Sequence, residues 1–193
     1  MAVIEPRPPV WRALPVPVLL VCVMWAVEFI DAVVPQQLDA YGIRPLDQQG
    51  LIGIAAAPFL HAGFAHLIAN TGAFVVLGVL VAAVSRRPWI VTIGVALISG
   101  VGVWLVGTPG TVHVGASGLV YGYAAFLVAW GILTRRVVSI LVAVAVVLLY
   151  GGLVFGVLPT QSGVSWQGHL FGAVGGVVVA YWLSKRVEPA RPR

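Results

Sequence analysis

Apolar residues in this chain do not alternate with polar ones. They run in blocks long enough to cross a lipid bilayer. A crossing helix takes roughly 20 apolar residues. Six blocks reach or approach that length, at about 15–34, 61–84, 88–107, 117–134, 137–157 and 167–185. Lipid offers no partner to backbone N–H and C=O groups, so each block predicts a helix and the whole predicts an all-α six-helix membrane bundle. The first connection, 35–60, is of mixed polarity and too long for a tight turn, which predicts a functional or partly embedded segment. The stretch "TPGTVHVGA" before the fourth block is Gly-rich and polar and is expected to dip into the protein interior. The first block is too long for a cleaved leader and lacks a small-residue cleavage site, so it reads as a retained span.

Composition agrees: 60% of residues are hydrophobic and 9% charged, against about 25% charged in a soluble domain. Where the charges fall matters more than their balance of +5. Arg7 and Arg12 precede the first block, Arg86 and Arg87 join the second and third, Arg135 and Arg136 join the fourth and fifth, and Lys185, Arg186, Arg191 and Arg193 follow the sixth. Only Arg44 lies on the other side. The positive-inside rule then puts both termini in the cytoplasm, with tails 1–14 and 186–193 around a core of 15–185. The positive charge belongs to loops facing anionic lipid, and no nucleic-acid partner is needed. Cys22 is the lone cysteine, in an apolar run, so no intrachain disulfide can form. Tryptophans and Tyr150 at block ends read as interfacial anchors.

The second, fourth and sixth blocks all run inward and end at basic residues, which gives a depth scale. At about 1.5 Å per residue, Ser117 lies roughly 27 Å above Arg135, and His169 roughly 24 Å above Lys185. Asn70 and His66 lie roughly 24 and 30 Å above Arg86. Four polar side chains on three helices thus share one outer layer. A serine hydroxyl becomes a nucleophile when a neutral imidazole takes its proton, as His169 could do for Ser117. Asn70 and His66 are donors at the depth where an oxyanion would form. Ser117 also opens a helix, whose first N–H groups lack intrahelical partners. Gly118 and Gly122 on the fourth block, and Gly168, Gly172 and Gly176 on the sixth, have the small-residue spacing that lets membrane helices pack closely. Tyr121, one turn after Ser117, is placed to pack on the His169 ring.

Each residue also has a plain structural reading. Ser117 in a small-residue run serves packing, His169 beside glycine can be a bonded core ring, and Asn70 can join helices. His61 is expected to bond the loop backbone, and His113 to be a loop residue facing water. Glu28, Asp31, Asp39 and Asp47 could orient a histidine, but nothing in their spacing selects one, so the reading is a Ser–His dyad. His61 and His66 are five apart and do not share a helix face, and no H-E-x-x-H is present, so no metal site is expected. The soluble-hydrolase elbow G-x-S-x-G is also missing.

With "HAGFAHLIAN", "GASGLVYG" and "GHLFGAVGG" in that order among six apolar blocks, the chain closely resembles the rhomboid family of intramembrane serine proteases. The resemblance implies Ser117 as nucleophile and His169 as general base. It implies His66, Asn70 and the Ser117 N–H as the oxyanion hole, Gly115 as the small residue before the active turn, Tyr121 against the catalytic ring, and His61 as a loop anchor. It implies single-span substrates with a weakened helix top and a small residue before the cut, in the plasma membrane, with water reaching the site from outside and no cofactor. Ile52 and Gly53 stand where many rhomboids have a Trp-Arg pair, so the first loop is expected to be held differently, with Arg44 and nearby acids as candidates. A non-proteolytic relative that holds membrane clients in the same cavity is the alternative. A small transporter is disfavoured because blocks two to six carry no charge at mid-membrane. Oligomeric state is not legible.

Overall fold

The structure, a computed structural model, describes residues 9–34, 37–160 and 163–186. The tail residues 1–8 and 187–193, with Arg7, Arg191 and Arg193, lie outside the described residues, as do 161–162 before the last helix. Long helices form where the apolar blocks predict them: α1 (Pro15–Asp31), α2 (Phe64–Ser85), α3 (Pro88–Val106), α4 (Ser117–Thr134), α5 (Val137–Tyr150) and α6 (Trp166–Ser184). Among the described residues there is no β-strand, only an isolated antiparallel bridge between Ile43 and His113.

Five segments are long and apolar enough to cross a membrane: Val10–Asp31, which includes α1, then α2, α3, α4, and Val137–Val157, which includes α5. α6 has 19 residues, but Gln167, His169 and four glycines dilute its apolar character. Local chemistry also moves the expected ends. α2 starts at Phe64 rather than 61 because Gly63, its N-cap, takes φ +94°. α5 stops at Tyr150, where a glycine pair tightens the chain into a 3₁₀ turn, Gly151–Val157. At the other end, Arg86 (φ 58°) and Arg135 (φ 52°) close α2 and α4 in the left-handed conformation. Their positive charges sit favourably against the helix C-termini.

α4 is the centre of the bundle. Half of it is buried, against 17% of the α5 segment. It packs most extensively on α6, then on α5 and α2, while α3 backs α6 and α1 lies on α2. The core is Leu67, Phe74, Leu77, Val95, Phe126 and Trp130, with Tyr123 hydrogen-bonded to Thr92 at 2.6 Å. The residues turned outward are just as apolar, such as Leu148 and Leu149 at 78% and 77% exposed. A helix hydrophobic on all sides is one solvated by lipid.

The first loop is not a free strand of chain. Short helical turns at Leu38–Tyr41, Gln48–Ile52, Gly53–Ala56 and Ala57–Phe59 fold it against α3. The Leu46 N–H donates to the Trp104 carbonyl at 3.0 Å, and Trp104 Nε1–H donates to the Asp47 carbonyl at 2.9 Å. Gly53 lies so close to the Gly42 and Ile43 backbone that a Cβ would not fit. Arg44 bonds Ala40 O and Gln49 within the loop and pairs with Asp47 at 3.8 Å on the surface. Such an exposed pair contributes little. Trp104 and the Ile43–His113 bridge hold the loop. Asp31 accepts the Leu38 N–H at its start. Glu28, expected near the interface, is buried, 4% exposed, and its Oε2 has no hydrogen-bond partner.

Candidate active site

Glycine brings α4 and α6 into backbone contact. A Cβ on Gly172 would run into the Gly118 backbone, one on Gly176 into Gly122 O, and one on Gly122 would lie 2.9 Å from Gly172 O. Gly118 is closed from the other side, where a Cβ would lie 2.6 Å from Ser99 Oγ, and that hydroxyl donates to the Gly168 carbonyl at 3.0 Å. The seam sets Ser117, at the head of α4, and His169, in the first turns of α6, around one cavity of about 810 Å³.

The turn before Ser117 is fixed at each residue. Gly115 takes φ +114°, and a Cβ there would lie 2.6 Å from His66 Cε1. Its N–H donates to the Ala57 carbonyl at 2.9 Å. The next N–H, of Ala116, points at His61 Nε2 at 3.4 Å. His61 is 1% exposed, and its ring meets that of His66 edge-on at 5.2 Å. Burial, helped by the neighbouring His66, pushes its pKa down to about 4. A neutral His61 therefore braces the turn from below.

His169 is buried, and its Nδ1 lies 2.8 Å from the Gly156 carbonyl. A carbonyl only accepts, so the Nδ1 carries the proton and the Nε2 lone pair is left for chemistry. The Tyr121 ring stacks on the imidazole, centroids 3.9 Å apart and 6° from parallel. None of the four acids near the outer surface orients this ring; a backbone carbonyl does. Ser117 Oγ has no hydrogen bond to His169 or to any other side chain among the described residues. Catalytic hydrogen bonds are often long before substrate arrives.

His66 and Asn70 line the same cavity. The Ala62 N–H approaches His66 Nδ1 at 3.4 Å, which leaves Nε2–H as its donor. Asn70 Nδ2 donates to the His66 carbonyl at 3.0 Å and keeps one N–H in hand. His113 is a half-buried loop residue lining the cavity, and it is more than that: its backbone pairs with Ile43, and its ring bonds Thr111 Oγ1 at 2.9 Å and Ser165 Oγ at 2.7 Å. Ser165 caps α6, accepting the Gly168 N–H at 3.2 Å. His113 thereby ties the first loop, the turn before Ser117 and the head of α6 together, and it is not the partner of Ser117. Among the described residues no three His, Cys, Asp or Glu side chains are grouped to hold a metal.

Sequence reasoning missed three contributors: the Gly156 carbonyl, the Ser165 cap and Gln167. The signal for Gln167 was present, a polar residue two places before His169. Ser165 and Gly156 depend on pairings far apart in the chain.

A helical bundle with an apolar exterior and a polar cavity opening between its helices defines a polytopic membrane protein. Residues 48–186 match the Rhomboid domain family model, and the chain belongs to the rhomboid family. Uncharacterized proteins of Mycobacterium tuberculosis and Mycobacterium bovis are 44% identical to it over 181 residues, which is 89% of this chain and 75% of theirs. One of Mycobacterium leprae is 45% identical over 171 residues, 83% of this chain and 67% of its own length.

Proposed function

We propose that this rhomboid is an intramembrane serine protease that hydrolyses peptide bonds in or beside the transmembrane segments of other proteins. The observation that carries the reading is the state of His169: Nδ1–H held by the Gly156 carbonyl, ring clamped by Tyr121, and the basic Nε2 left in the cavity that also holds Ser117. A bonded core ring would also have a fixed tautomer; what supports the reading is that Nε2 is left without a partner in the cavity that Ser117 lines.

In this mechanism Ser117 Oγ attacks the scissile carbonyl and gives its proton to His169 Nε2. The oxyanion takes hydrogen bonds from His66 Nε2–H, Asn70 Nδ2–H and the Ser117 backbone N–H, donors already in place before charge develops. His169 passes the proton to the leaving amine. Water, deprotonated by the same Nε2, then attacks the acyl-enzyme and releases Ser117. Gly115, Gly118 and His61 hold the turn, and Gly122, Gly168, Gly172 and Gly176 hold the helices. No metal or cofactor takes part.

The placement completes the proposal. α6 crosses as a sixth span between outer Ser165 and inner Lys185. The core, residues 15–185, sits in the plasma membrane with both tails cytoplasmic and the cavity open to the extracytoplasmic side. Clients are membrane proteins, with a weakened helix top and a small residue before the cut.

Fluorophosphonate labelling tests the chemistry. Purified protein should be labelled at Ser117, and His169→Ala should abolish labelling and cleavage of a labile transmembrane substrate. Cleavage that survives both Ser117→Ala and His169→Ala would sink the assignment. The missing hydrogen bond between Ser117 and His169 favours a second reading, a non-proteolytic relative that holds clients in the cavity. In that case the wild type binds the substrate but is neither labelled nor able to cut it.

A further inference from the structure

The polar groups around the cavity can be counted by what they have left to bond. One set is spent on itself. Thr111 Oγ1–H donates to the Thr108 carbonyl at 2.6 Å, and His113 Nε2–H to Thr111 Oγ1 at 2.9 Å. Ser165 Oγ–H donates to His113 Nδ1 at 2.7 Å, and the Gly168 N–H to Ser165 Oγ at 3.2 Å. Each donor in this chain has one acceptor, so none of its side-chain N–H or O–H groups is left over for a ligand.

Ser117, His169, His66, Asn70 and the buried Gln167 keep bonding capacity, as do the more exposed Thr108, Tyr121 and Trp166. The proposed hydrolysis uses the first four. Gln167 has no part in it. Its side chain is 6% exposed and has no hydrogen-bond partner among the described residues. A primary amide carries two donors and an acceptor, and those of Gln167 open on the cavity with no protein partner, where a ligand can meet them. Gln167 lies in the first turn of α6, beside the Ser165 cap, where the cavity meets the head of the helix. Val112, Val114 and Val164 of the same lining bring only apolar side chains.

We infer that Gln167 binds the main chain of the substrate. Its Oε1 accepts from one peptide N–H, and its Nε2–H donates to a peptide carbonyl. An amide is the complement of a peptide unit, since each offers one N–H and one C=O. A membrane segment unwound for cleavage brings backbone groups that lipid cannot satisfy, and Gln167 supplies partners for them without bringing a charge into the cavity. This inference rests on the protease reading.

The test uses the full-length protein in detergent and a synthetic transmembrane peptide, made unmodified and as a series with single N-methylated peptide bonds near the cut. Gln167→Met keeps the length of the side chain and removes its hydrogen bonding. It should raise KM about tenfold with a smaller change in kcat, and the penalty should vanish on the one methylated peptide whose N–H Gln167 would have met. Gln167→Ala should show the same pairing, and thermal unfolding in detergent establishes that both variants are folded. An unchanged KM, or an equal penalty on every methylated peptide, overturns the inference while leaving the protease intact. A wild type that neither cleaves nor labels overturns the parent reading and this one with it.

Discussion

At Gly156 the chain has no side chain because there is no room for one. A Cβ would overlap the Tyr121 hydroxyl and sit 3.2 Å from His169 Nδ1. In soluble serine hydrolases a buried carboxylate holds the imidazole; here an uncharged carbonyl takes that place, which spares the site an ion that is costly at membrane depth. Gly156→Ala should displace the Tyr121 and His169 rings together and lower kcat about 100-fold, the low end of what a positioned base contributes, with the fold kept; single-turnover cleavage measures it. The gathering of Ser117, His169, His66 and Asn70 around one cavity was legible in the sequence because ionisable and polar types are rare in spans, and the spacing put these four at one depth. The Gly156 carbonyl was not, since every residue has one. The bracing role of His113 was not legible because its partners, Ile43 and Ser165, are far away in sequence.

At the scale of elements, helix position is set by glycines that meet backbone. Gly172 and Gly72 separate this effect from helix propensity. Gly172 faces the Gly118 backbone, whereas nothing lies within 4 Å of a Cβ at Gly72. Gly172→Val should force α4 and α6 apart at a cost of about 1–3 kcal/mol, visible as a lower Tm in detergent and as lost cleavage. Gly72→Ala should leave Tm unchanged or raise it, by up to about 1 kcal/mol. The apolar blocks foretold every long helix, because in lipid no other element satisfies the backbone. They missed ends set by one residue's conformation, as at Gly63; α6 forms where its block predicts, though its polar head makes it less apolar than the other five. The first loop was beyond reach of the pattern, since Trp104 holds it through backbone atoms that no motif marks.

For the whole molecule, the distribution of charge is a statement about orientation. Arg86, Arg87, Arg135, Arg136, Lys185 and Arg186 follow the C-terminal ends of α2, α4 and α6, which the proposed orientation puts on the cytoplasmic side, and Arg44 lies at the opposite end. With exposed Cys22 replaced by serine, Thr108→Cys should react with an impermeant maleimide added outside intact cells. Lys185→Cys should react only once the membrane is opened. Labelling of both from one side would refute the orientation and the sixth crossing. One further property follows from the cavity itself. Among the described residues, no Asp, Glu, Lys or Arg lines it. A vestibule without formal charge casts no long-range field, so it neither draws in nor repels a client across water. On the protease reading, encounter with a membrane client is then expected to follow two-dimensional diffusion and local concentration in the bilayer, with little dependence on the ionic strength outside.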